Sequence, residues 1–290
     1  GQLARATGIP ASTLRAWESR YGAPTPLRRP SGHRRYLIEE VARLRCAAEL
    51  VGQGLAPARA LARCKAPEDA PEAHDPDLER ALEHAAAFDT QGLTAAVERA
   101  CARGPMAHAL DEFVGPLLGR LGQLWADGAI GVRHEHACTA ALVRTLHAIG
   151  DRMDGGVRSE RLILALLPGD EHRLPLAMLR LVALARGYEP VDLGDSLPVE
   201  EIAAAAAELD AAAVLVHVSY AAGGIESDRE LERLAALGEG RWNVVAGGAG
   251  SRGPRRGARG VVLLPNLVAL DAWLNERVRR PSPPPSGGRL

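Results

Sequence analysis

Five short apolar runs punctuate the second half of the chain: "RLILALL" (161–167), "YEPVDL" (188–193), "AAVLVHVS" (212–219), "WNVVAGG" (242–248) and "GVVLL" (260–264), with amphipathic stretches of helical length between them. Runs of that length read as strands, and strand alternating with helix is the pattern of a parallel, doubly wound sheet. Such a sheet presents its ligand-binding groups on the loops at the strand carboxyl ends.

The preceding residues keep a different rhythm. From 78 to 156 apolar residues recur at three- and four-residue spacing, broken at "AAFDTQG", "ARGPM" and "ADGAIGV", which predicts a four-helix bundle with Asp89 or Thr90 as one N-cap. The stretch 65–77, "KAPEDAPEAHDPD" with its neighbours in composition, lacks periodicity and reads as a linker. The expected domains are therefore a small helical unit over 1–64, the bundle over 78–156 and the α/β unit over 157–279. A proline-rich tail, 280–290, is expected to be disordered.

With 47% hydrophobic residues, 290 positions suffice to bury several cores. No run of about eighteen apolar residues and no signal-like opening is present, so the sequence predicts a cytoplasmic protein without membrane contact. Cys46, Cys64, Cys101 and Cys138 are far apart with no C-x-x-C pair, and read as core thiols outside any disulfide framework. The formal charge of -1 hides an asymmetry: residues 1–46 carry nine Arg against three Glu, a net of +6. A basic end on a near-neutral chain points to a polyanionic partner for that end.

Within that end, "LARATGIPASTLRAWESRYG" reads as helix, turn at Thr7-Gly8, and second helix opened by Pro10. Thr13 and Arg15 fall near the start of the second helix, where base edges are read, and Arg20 and Tyr21 near its end, within reach of phosphate. The turn-rich "PTPLRRPSGHRRY" that follows supplies Arg28, Arg29, His33, Arg34, Arg35 and Tyr36 as a second phosphate-tracking surface. Over this whole stretch the chain resembles the MerR family of transcriptional regulators. The resemblance implies a winged helix-turn-helix that binds double-stranded promoter DNA as a dimer, and implies family residues ahead of Gly1.

The loop after the first strand of the sheet, "PGDEHRLPLAM" (168–178), places Asp170 two residues before His172. A neutral imidazole there can ligate a metal while a carboxylate fixes its tautomer. In the bundle, His134, Glu135, His136 and Cys138 do not make a zinc site, because residues two apart on a helix face different sides.

The combined pattern Asp170-x-His172-x-x-Pro175, forty-one residues, His217-x-Ser219, twenty-seven residues, Gly247-Gly248 is similar in spacing to the cobalamin-binding domains of corrinoid methyltransferases and mutases. Trp125, separated by nine residues from Glu135-His136, resembles the cobalamin-covering motif of MerR regulators of the CarA and CarH type. The fold implied is multi-domain α and α/β: winged helix-turn-helix, four-helix bundle and Rossmann-like (flavodoxin-like) sheet domain. The function implied is a repressor, not an enzyme, in which adenosylcobalamin lies between bundle and sheet and controls assembly into a DNA-binding homodimer or homotetramer. In light-responsive members, light breaks the cobalt–carbon bond and releases the DNA. By position, His172 is the lower cobalt ligand, Asp170 its orienter, Trp125, Glu135 and His136 the wall beside the adenosyl group, and Gly247-Gly248 the place where the nucleotide tail passes closely.

Four positions depart from that pattern: Pro175 stands for a glycine, His217 for a serine placed against the tail base, Ser219 for a leucine, and Ala126 for a histidine beside the tryptophan. Proline and histidine both add bulk where the fit is close. Two readings of the distal half follow: a cobalamin sensor with altered tail binding or photochemistry, or a domain that oligomerises or binds a protein partner such as an antagonist, or another tetrapyrrole. A corrinoid carrier of a methyltransferase fits the distal half but not the basic end.

Overall fold

In the computed structural model, residues 2–25, 27–28, 34–36, 38–64, 75–153, 160–219, 222–223, 225–251 and 260–278 are described. Arg29 and His33 of the basic turn, most of the 65–77 linker and the 280–290 tail lie outside the described residues.

The chain opens with α1 (Gln2–Thr7) and α2 (Ala11–Tyr21). Between them Gly8 adopts φ +69°, a conformation that costs glycine little, and the Thr7 hydroxyl donates to the Leu3 carbonyl at 2.8 Å. A two-stranded antiparallel ribbon follows, β1 (Leu27–Arg28) and β2 (Arg34–Arg35), with Leu27 opposite Arg35 and Arg28 opposite Arg34. Two further helices, α3 (Ile38–Gly52) and α4 (Pro57–Arg63), close a small core around Leu14, Trp17, Leu44 and Leu61. Here the reading of four core thiols is corrected: Cys46 and Cys64 form a disulfide, their Cα atoms 5.8 Å apart. The spacing of 18 residues looked uninformative because the hairpin of α3 on α4, not a short motif, brings the two together. Cys101 and Cys138 are buried free thiols.

The bundle comprises α5 (Pro76–Ala86), α6 (Thr90–Ala102), a third helix built from α7 (Met106–Ala109), a π-helical turn (Leu110–Val114) and α8 (Gly115–Ala126), and α9 (Val132–Met153). Asp89 caps α6 by accepting from Gly92 N at 2.9 Å. Pro76 and Asp77, read as the end of the linker, belong to α5: the Asp75 carboxylate accepts from Asp77 N at 2.9 Å, and proline suits a first helical turn.

All five apolar runs form strands: β3 (Arg161–Leu166), β4 (Glu189–Asp192), β5 (Ala213–His217), β6 (Asn243–Gly247) and β7 (Val261–Leu263), alternating with α10 (Leu174–Ala185), α11 (Val199–Glu208), α12 (Ile225–Gly238) and α13 (Leu267–Val278). They pair in parallel in the order β4-β3-β5-β6-β7, the flavodoxin-like order, whose switch point lies between β3 and β5. One face packs on α11 and α12 through Ile163, Ile202, Val214 and Leu234. The other face shares a single core with the bundle: Leu164 and Leu215 join Leu181, Leu142 and Leu117. Bundle and sheet are thus continuous through α10, with Arg180 donating to Asp151 at 2.9 Å across the α9 contact.

A second tie runs through the π-helical turn. Asp111 accepts from Leu267 N at 3.2 Å and Val268 N at 2.8 Å, and Asn266 accepts from Ala269 N at 2.9 Å, so the first amides of α13 are capped partly from the bundle. Asp111→Ala is expected to cost about 1 kcal/mol, the usual worth of a helix cap, and Asp111→Asn less, as read by chemical denaturation. Among the described residues, no helix is long and apolar enough to cross a membrane.

Candidate functional site

β3 ends at the switch point, and the chain turns through Gly169, φ +81°, with Asp170 N donating to Leu167 O at 3.0 Å. That turn drives Asp170 inward: it is 1% exposed. Its Oδ1 accepts from His172 Nδ1 at 2.8 Å and from His172 N at 3.3 Å, while Oδ2 accepts from Ser219 N, just past β5, at 2.8 Å. Burial on its own would raise the Asp170 pKa, but the hydrogen bonds from His172 and Ser219 outweigh it and hold the carboxyl below its usual range. The hydrogen bond to Asp170 raises the His172 pKa, helped by the nearby charges of Asp170, Glu171 and Glu135.

With Nδ1 committed to Asp170, the His172 ring presents Nε2 outward; its side chain is 61% exposed. It lines a cavity of about 1550 Å³ enclosed by the carboxyl edge of the sheet, the bundle and the DNA-reading unit. This exceeds the range of roughly 300–1,000 Å³ that holds drug-sized molecules. From the bundle come Glu135, His136, Val143 and Arg144; Arg144 carried no sequence signal that set it apart. The sheet side supplies Pro175, His217, Ser219, Gly247 and Gly248. Pro175 sits in the first turn of α10, where its missing N–H breaks no helical hydrogen bond. Trp125 is not among the lining residues: it packs, half-buried, on the core shared by bundle and sheet. Asp170 also stays behind the wall, reaching the cavity through His172.

The other bundle residues singled out by sequence diverge. His134 accepts from Gly131 N at 3.1 Å and stacks on Phe88 at 4.0 Å, whereas the Cys138 thiol is buried toward Ala85 O. Glu135 accepts from Thr139 Oγ1 at 2.9 Å.

His217 ends β5 beside Gly247 of β6. Burial, reinforced by the nearby His172, pushes its pKa down to about 4, so the imidazole is neutral. The ring rests on Gly248, where a Cβ would lie only 2.7 Å from its Cε1.

The DNA-reading residues divide. Arg15 on α2 and Tyr36 after β2 line the same cavity as His172, and Arg45 on α3 donates to the Gly250 carbonyl of the sheet domain at 3.0 Å. Thr13, Arg20 and Tyr21 lie on α2 away from the cavity lining, and Arg28, Arg34 and Arg35 on the β1–β2 ribbon.

A large planar macrocycle with one open axial metal position fits this cavity and this histidine. At the Gly247-Gly248 corner the His217 imidazole lies close to Gly248 and narrows the space there.

Comparison with known proteins finds relatives over most of the chain. The MerR family regulatory protein model matches residues 1–36 and the B12 binding domain model matches 77–154. Two Myxococcus xanthus proteins, the HTH-type transcriptional repressors CarA and CarH, are each 31% identical. The match to CarA covers 86% of each chain, and that to CarH 69% of this chain and 71% of the relative. The monomethylamine corrinoid protein of Methanosarcina barkeri shares the fold at a TM-score of 0.52 and 17% identity, over 69% of this chain and 98% of its own.

Proposed function

The chain belongs to the family of HTH-type transcriptional repressors that join a MerR domain to a B12-binding domain, and from that premise we propose that it represses promoters under the control of adenosylcobalamin bound between bundle and sheet. It acts as a regulator and not as an enzyme, in the cytoplasm, as a homodimer or homotetramer on double-stranded DNA.

The observation that carries the reading is His172 at the β3–β5 switch point, oriented by a buried Asp170 and opening Nε2 into a cavity roofed by the bundle. In the bound complex His172 would be the lower ligand of cobalt, with Glu135 and His136 on the opposite wall. The corrinoid supplies a light-sensitive cobalt–carbon bond. What the chain itself does is turn the His172 Nε2 toward the cavity and cover it with a bundle wall in which Leu118, Ala140 and Val143 stand beside Glu135, His136 and Arg144. Because Arg15 and Tyr36 line the same cavity, its occupancy and the reach of the DNA-reading helix are coupled in one space, which supports control of DNA binding by the ligand.

The test is direct. Protein mixed with adenosylcobalamin in the dark and freed of excess ligand is expected to retain a corrinoid visible spectrum, and green light is expected to change both that spectrum and the oligomeric state. Failure to retain corrinoid overturns the reading.

A further inference from the structure

We propose that this site binds corrinoids without receiving their nucleotide tail, so that it recognises the macrocycle and its axial positions but not the lower base. The proposal rests on the corrinoid reading above and narrows it to a ligand class: corrinoids irrespective of lower base, tail-less cobinamides included.

The argument starts at the carboxyl ends of β5 and β6. Residues alternate in face along a strand, so His217 belongs to the same face of β5 as Leu215, and Gly247 to the same face of β6 as Val245. On the same side of the sheet, Leu179, Leu215, Val245 and Leu270 of α10, β5, β6 and α13 add an apolar stretch to the cavity wall. The register His217 opposite Gly247 sets the imidazole at the edge of this stretch.

Two glycines at that edge would leave an open corner in a chain with a small residue at position 217. Here the corner is filled. A Cβ on Gly248 would meet His217 Cε1 at 2.7 Å, Nδ1 at 2.8 Å and Val218 O at 2.6 Å, so ring and backbone are already in contact. An arm passing this corner must move the His217 ring aside, and overpacking of that kind is unfavourable.

The experiment compares adenosylcobalamin with adenosylcobinamide, which has the same ring and upper ligand but no nucleotide, by equilibrium titration of the visible spectrum in the dark. Wild-type protein is expected to bind cobinamide at least as tightly as cobalamin, because a tail left in water contributes little and cobalamin must first release its own lower base from cobalt. His217→Ser is expected to strengthen cobalamin binding about tenfold or more while leaving cobinamide unchanged, the low end of what relieving an overpacked contact returns. His217→Phe keeps the bulk without the imidazole nitrogens and is expected to behave as wild type. Wild-type preference for cobalamin above tenfold, or loss of cobalamin binding in both variants, overturns the inference and assigns His217 to holding the base; the corrinoid reading then survives. Retention of neither corrinoid overturns both.

Discussion

Asp170→Asn is expected to weaken corrinoid binding about 10- to 100-fold, the usual cost of losing the partner that orients a metal-ligating histidine. His172→Ala is expected to cost more and to alter the visible spectrum of whatever corrinoid remains. The carboxylate accepts hydrogen bonds from the ring and backbone N–H of His172 and from Ser219, and an amide in its place offers one acceptor atom instead of two. The ring is then free to turn, and Nε2 no longer points into the cavity as a fixed donor. Asp170→Ala separates binding from folding: it leaves the buried Ser219 N–H without its acceptor, at about 1–3 kcal/mol, so this variant should unfold at lower denaturant as well. The pair also has a pH signature in the ligand-free protein. The Asp170 carboxyl is lowered by folding, so its contribution is present above the ordinary carboxylate range and fades as pH falls through the depressed value. The His172 pKa is raised, so its share is full below 6.5 and fades as pH rises through the raised value. Unchanged affinity in Asp170→Asn would show that the ring is held by something other than Asp170.

The sheet was legible because period and length spoke clearly: each of the five apolar runs became a strand, and the loop that carries His172 fell at the switch point. The bundle was legible for the same reason, down to the Asp89 cap. What sequence did not disclose depends on contacts between distant segments. The Cys46–Cys64 bridge needs the α3–α4 hairpin, and Asp111 reaches α13 across 156 positions from a π-helical turn that has no periodic mark. Trp125 had the right spacing, but its place in the core decides its contacts. Pro175, read as a substitution for glycine, turns out to be a first-turn residue of α10 that lines the cavity, a place that its spacing in the motif did not disclose. The shared cavity of Arg15, Tyr36 and His172 joins three domains, so no single segment foretold it.

Affinity for a duplex selected by the protein from a random-sequence pool is expected to fall about 10³- to 10⁵-fold between 50 and 200 mM salt if six to ten phosphates are contacted. The ribbon sharpens which arginines carry that slope. Register sets Arg28 directly opposite Arg34, and Leu27 opposite Arg35, so the two pairs belong to opposite faces. Arg28 and Arg34, partners in register on the ribbon, are therefore the pair expected to carry that slope. The double variant Arg28→Ala with Arg34→Ala should lower the slope of log affinity on log salt by about 1.8, the counterions released by two phosphate contacts, while Arg35→Ala should change it by much less. Equal losses from Arg34→Ala and Arg35→Ala would mean that the ribbon lies edge-on to the duplex, and an unchanged slope in the double variant would move the phosphate surface off the ribbon to α2, where Arg20 stands exposed.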